Sequence, residues 1–153
     1  MNVIVNDMKP QTAGAQSFLA SATKKMLING DWVDAVSGES IESKDPATGN
    51  VLATIPKGAK ADVDAAVKAA RDSFESGVWR NMTPDDRSRI LWKISELMEA
   101  NIDELAELET PDQGKPLFVG RWAEIPGAAQ QFRYFSGMTN KIQGETINTS
   151  INY

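Results

Sequence analysis

Glu107 and Glu109 are the first pair to weigh for general acid–base work, but two residues apart on a helix they point to different faces. Gln113-Gly114-Lys115 offers a glycine and an ammonium to a phosphate, yet it lacks the earlier glycine and the following hydroxyl residue of a phosphate loop. No glycine triplet of the dinucleotide-binding type occurs. The 153 residues include no cysteine and no histidine. That removes disulfides, thiolate catalysis, thiolate-ligated metals and the commonest general base. Arg71, Arg87, Arg89 and Lys93 read most simply as solvated helix faces. No residue here can form a thioester with a substrate.

The net charge of −5 gives no reason to expect nucleic acid or an anionic membrane as partner. No window reaches the roughly 20 apolar residues that span a bilayer, and no signal peptide opens the chain, so the expected location is cytoplasmic. Residues 1–25, rich in Gln, Ser, Thr, Ala and Gly, read as a flexible N-terminal arm, and the fold proper runs over 26–153.

The elements that follow are legible from spacing. Met26-Leu27-Ile28 and Trp32-Val33 flank Asn29-Gly30, the dipeptide of a tight hairpin over 26–34. A second strand pair is expected at 39–44 and 51–56 across the Asp45–Asn50 turn. Val63, Ala66, Val67, Ala70 and Phe74 then recur at helical spacing, predicting an amphipathic helix over 61–76 stopped by Gly77. Thr83 and Pro84 start another, with Ile90, Leu91, Ile94, Leu97 and Met98 as its buried stripe. Asn101 and Glu104 have capping-box spacing, so that helix breaks near Ala100 and restarts, and Thr110-Pro111 ends it.

Pro116 opens a helix kinked at Pro126-Gly127, closed by Gly144, and striped by Phe118, Trp122, Ala129, Phe132 and Phe135 as core. Residues 145–151 alternate as a strand. The class is α+β: β-hairpins, then three or four helices, then a strand, incomplete as a domain.

Six phrases, among them LINGDWVDAVSG (27–38), DPATGNVLATIP (45–56), MTPDDRSRILWKISELMEAN (82–101) and ELETPDQGKP (107–116), resemble in order the front of the aldehyde dehydrogenase superfamily. The run SGVW before Met82-Thr83-Pro84 is similar to the branch acting on phenylacetaldehyde and other aromatic aldehydes. The resemblance implies an NAD(P)-dependent oxidation of an aldehyde to a carboxylic acid, with NAD or NADP bound by the complete enzyme. A cysteine thiolate, an asparagine and a glutamate do the chemistry in that family, all beyond the point matching Tyr153. The expectation is therefore a chain truncated before the cofactor-binding and catalytic parts, inactive alone and binding no cofactor alone. Its implied partners are the remainder of the dehydrogenase chain and, when complete, further copies in a homo-oligomer.

Two lesser roles carry over by resemblance. A monovalent cation held by oxygen ligands points to Ser43, Lys44 and Asp112, although Thr110-Pro111 departs from the family's usual leucine; Asp112 closing the turn before Gly114 is the plainer alternative. The family's aldehyde entrance tunnel points to Gly127 and Gln131 on the kinked helix. A different class of function stands beside these: a non-catalytic oligomerisation or strand-pairing module that uses the terminal strand as an edge.

Overall fold

The computed structural model describes residues 9–21 and 23–144. The expected strand at 145–151 lies outside the described residues. A short helix comes first, then two antiparallel strand pairs, then the remaining helices. β1 (Met26–Ile28) pairs with β2 (Asp31–Val33), and Asn29 and Gly30 take φ of 54° and 87° between them, as the Asn-Gly turn requires. β3 (Ser40–Lys44) pairs with β4 (Val51–Pro56), and the register shifts between Ser43 and Lys44. Both sheets are two-stranded.

α1 (Ala13–Ala20) lies within the segment expected as an N-terminal arm. Thr12 supplies its N-cap, accepting from Ala15 N, and the helix lies against α4, which gives it contacts that its composition does not announce. α2 (Lys60–Ser76) ends on Gly77 as expected. Its first turn is pinned by Asp62, whose carboxylate accepts from Ala59 N at 2.8 Å and Val36 N at 2.9 Å and so ties the helix to the loop after β2. Those two backbone donors, Ala59 first, hold the Asp62 carboxyl below the usual carboxylate range.

α3 (Pro84–Ala100) starts on the Thr83 cap. α4 (Ile102–Gln113) restarts after Asn101 without the expected capping box: the Asn101 amide donates back to Leu97 O at 2.7 Å and closes α3 instead. Nor does Pro111 end α4, which runs through it to Gly114. Proline forfeits the bond to the Glu107 carbonyl, but Gly114 N still closes on Thr110 O at 2.8 Å, and the last turn is tied to β3 by Ser43 and Asp112.

Leu117–Val119 forms a short α5, followed by a π turn at Gly120–Glu124 and then α6 (Ile125–Ser136). The expected kink at Pro126 takes the form of that π turn. Ile125 N reaches back to Gly120 O, and the widened turn accommodates a ring that an α turn would press against the Trp122 carbonyl. Gly120 itself is buried on Ala106; a Cβ there would lie 3.1 Å from the Ala106 Cβ. α6 stops at Ser136 rather than near Gly144, because Gly137 and Met138 close onto the carbonyls of Tyr134 and Phe135.

The most extensive contact is α3 against α6, where Ser95, Ala129 and Ser136 are buried and small enough to let the helices approach. Arg133 bridges them, donating to both Glu99 oxygens at 2.9 and 2.6 Å with its guanidinium 4.9 Å from the Trp92 ring centre. The apolar stripes on these helices are largely open. Val63, Val67 and Phe74 on α2, Ile90 and Leu97 on α3, and Phe118, Trp122, Phe132 and Phe135 on the last helical run are all exposed. Among the described apolar side chains larger than alanine, Ile125 is the one that is buried. The periodicity of these helices therefore marks faces that the described residues do not cover.

Candidate functional site

The residues assigned by resemblance fall in two places. Ser43, near the end of β3, and Asp112, in the last turn of α4, come together: the Ser43 hydroxyl donates to Asp112 Oδ1 at 3.2 Å. Lys44 turns away, its ammonium 3.1 Å from Glu42 Oε2. The Ser43–Asp112 pair sits at one side of a cavity of about 480 Å3 between β3–β4, α4 and α1. Leu52, Ile55, Leu105 and Leu108 line its apolar wall. Oxygen donors on an apolar cavity suit a hard cation, but among the described residues no three acidic, His or Cys side chains converge as a metal cluster. Gly127 and Gln131 lie one helical turn apart on α6; Gly127 is half-buried and Gln131 exposed.

Two charged clusters on α4 and its neighbours escaped the sequence reading. Glu107 is 1% exposed, yet it is fully bonded. Its Oε2 accepts from Gln11 N at 2.9 Å, Thr12 N at 2.8 Å and the Thr12 hydroxyl at 2.9 Å; its Oε1 accepts from Arg121 at 3.1 Å. Arg121 also pairs with Asp103 at 2.7 Å. Burial pushes the Glu107 carboxyl up, but the Thr12 and Gln11 hydrogen bonds and the Arg121 charge outweigh it and leave it below the usual range. In the second cluster, the half-buried Lys115 ammonium pairs with Glu109 at 2.6 Å and with Glu124. Both fasten α4 to the following helical run. The Thr12 cap was the one local signal available for the first cluster; its partner lies 95 residues away in sequence.

No parallel strand pair is formed between named strands, so the described residues build no βαβ cradle for a dinucleotide. What the arrangement offers is a scaffold: strand pairs and helices fastened by buried charge, with apolar faces open on several sides.

A profile of the aldehyde dehydrogenase family matches residues 32–153. The chain belongs to the aldehyde dehydrogenase family. Aldehyde dehydrogenase family 2 member C4 of Arabidopsis thaliana is 47% identical over 123 residues, covering 80% of this chain and 25% of that protein. Phenylacetaldehyde dehydrogenase of Pseudomonas fluorescens is 42% identical over 127 residues, covering 83% and 25%. An NAD+ complex of an aldehyde dehydrogenase from Bacillus cereus superposes with a TM-score of 0.85 at 41% identity, covering 92% of this chain and 28% of that one. The chain thus spans about a quarter of the length of the relatives it matches, and its fold is the N-terminal part of the aldehyde dehydrogenase fold. The phenylacetaldehyde enzyme is one relative among several, others being aldehyde dehydrogenases whose names specify no aldehyde, so the aromatic-aldehyde likeness does not set this chain's branch.

Proposed function

We propose that this chain serves as the N-terminal scaffold of an NAD(P)-dependent aldehyde dehydrogenase, an enzyme oxidising an aldehyde to its carboxylic acid, and that it neither turns over aldehyde nor binds the dinucleotide alone. The observation that carries this is the family match over residues 32–153 in a sequence without a single cysteine. Aldehyde oxidation through a thioester needs a thiolate, and hydride transfer needs a held nicotinamide; neither group has a place among these residues. The open stripes on α2, α3 and α6 support the second half of the reading, since they are the faces that the rest of such an enzyme, and further copies of it, would cover. Within that complete enzyme, Ser43 and Asp112 would hold a monovalent cation together with backbone oxygens near Lys44, and Gly127 and Gln131 would border the path of the aldehyde.

The test has two arms. The purified chain, supplied with aldehyde and NAD or NADP, should form no reduced nicotinamide above the protein-free blank, and calorimetric titration should show no saturable dinucleotide binding. Co-expressed with a polypeptide carrying the part of the Bacillus cereus enzyme that follows the aligned region, it should copurify and restore aldehyde-dependent reduction. Turnover by the chain alone, or failure of the two pieces to associate, would overturn the proposal.

A further inference from the structure

We propose that residues 9–21 form a latched strap, in which the buried Glu107 carboxylate holds the Thr12 end of α1 down and so keeps the apolar cavity between α4 and β3–β4 covered. This is independent of the catalytic reading above and rests on how the strap is held.

The strap has little hydrophobic grip. α1 is eight residues long, too short to persist by itself in water, and Ala15 is its one buried residue. Phe18 remains 51% exposed. The hold is polar instead. Three donors from Gln11 and Thr12 converge on one oxygen of Glu107, while Arg121 occupies the other and keeps the carboxylate aimed. A second carboxylate, that of Glu104, lies against Gly14 one helical turn earlier on α4; a Cβ on Gly14 would fall 1.9 Å from its Oε2. α4 thus presents negative charge to the positive end of α1, and residues 10–21 themselves carry no charged side chain.

Latch and helix share one atom. The Thr12 hydroxyl that donates to Glu107 also accepts from Ala15 N at 3.3 Å as the cap of α1. Releasing it removes one of the tether's three donors together with the start signal of a helix too short to persist by itself. The far end of that helix places Phe18 and Leu19 on the cavity that Leu105, Leu108 and Ile55 line from below. Opening the latch, melting α1 and wetting the cavity beside Ser43–Asp112 are therefore one event.

Because the chain has no cysteine, a single introduced thiol reports access to the cavity without background. Hydrogen exchange across the chain, and the labelling rate of Leu105→Cys, should be compared with and without Thr12→Ala. Thr12→Ala should speed exchange of the 13–20 amides and labelling of the thiol by about tenfold or more, with α3 and α6 unchanged; Thr12→Ser, which keeps the hydroxyl, should restore both rates. Unchanged exchange in α1 would show that the hydroxyl shared by latch and cap does not hold the strap. Faster exchange in α1 with unchanged labelling would show that the strap does not cover the cavity. Loss of protection throughout would show that it does not move independently. Any of these three overturns the proposal.

Discussion

Replacing Phe118 and Trp122 together by serine should improve the behaviour of the isolated chain while weakening an enzyme assembled around it. The two rings stack on the α5–π run, 5.8 Å apart and 9° from parallel, and are 66% and 73% exposed. An aromatic side chain covers about 150–250 Å2, so the pair leaves roughly 250–300 Å2 open to water. At ~25 cal/mol per Å2, covering that surface is worth about 6–8 kcal/mol, comparable with the whole stability of a domain. Both rings are largely exposed among the described residues, so removing both should change the unfolding free energy by no more than about 1 kcal/mol, the scale of surface substitution and helix propensity. Self-association in sedimentation velocity and the fluorescence of a bound hydrophobic dye should both fall. In the complex with the remaining dehydrogenase polypeptide, Phe118→Ser/Trp122→Ser should cost several kcal/mol. If dye binding and self-association stayed as before while the isolated chain lost more than about 2 kcal/mol, the rings would be core and the reasoning would fail.

Gly114→Ala should destabilise by about 2–4 kcal/mol in denaturant titration, because a left-handed residue at φ +72° gains a Cβ that would fall 2.6 Å from the Pro46 ring. Gly38→Ala, at φ +71° with open space around it, should cost only about 1 kcal/mol, and Pro46→Ala should relieve most of the difference. The Glu107 carboxyl titrates below its ordinary value in the folded chain, so its contribution is complete above the unfolded value of about 4.3 and is lost as pH falls through the folded one. Protection of the α1 amides, followed by hydrogen exchange against pH, should accordingly hold at neutral pH and drop below about pH 4. Glu107→Gln should abolish that step; a step that survived in the variant would belong to another group. Finally, sodium or potassium should raise the melting temperature of the complete enzyme, and Asp112→Ala should remove the effect; an effect that persisted would move the cation away from the Ser43–Asp112 pair.

What could be read from spacing was what the backbone decides locally. The Asn29-Gly30 hairpin, the Thr83-Pro84 helix start and the Gly77 stop each depend on a few adjacent residues, and each forms where the sequence predicts it. Pro111 and Asn101 went the other way because tertiary groups outvoted local chemistry. The Ser43 hydroxyl and the Gly114 closure carry α4 through its proline, and Asn101 spends its amide on α3. Glu107 was illegible for a sharper reason. A carboxylate on a helix looks solvated until its donors arrive, and Gln11 and Thr12 come from a segment that offers only the Thr12 cap as a local signal. The stripes were found correctly as stripes, since Val63, Val67 and Phe74 do share a face; periodicity reports that a face is apolar and is silent on what covers it. Those two kinds of miss point the same way. A chain that buries a charged carboxylate to fasten its own N-terminal helix, and leaves its largest apolar side chains in water, has its internal joints made of polar contacts and its apolar area set aside for a neighbour. That division fits the scaffold role proposed above: joints that hold before a neighbour arrives, and faces whose burial would be gained only when it does.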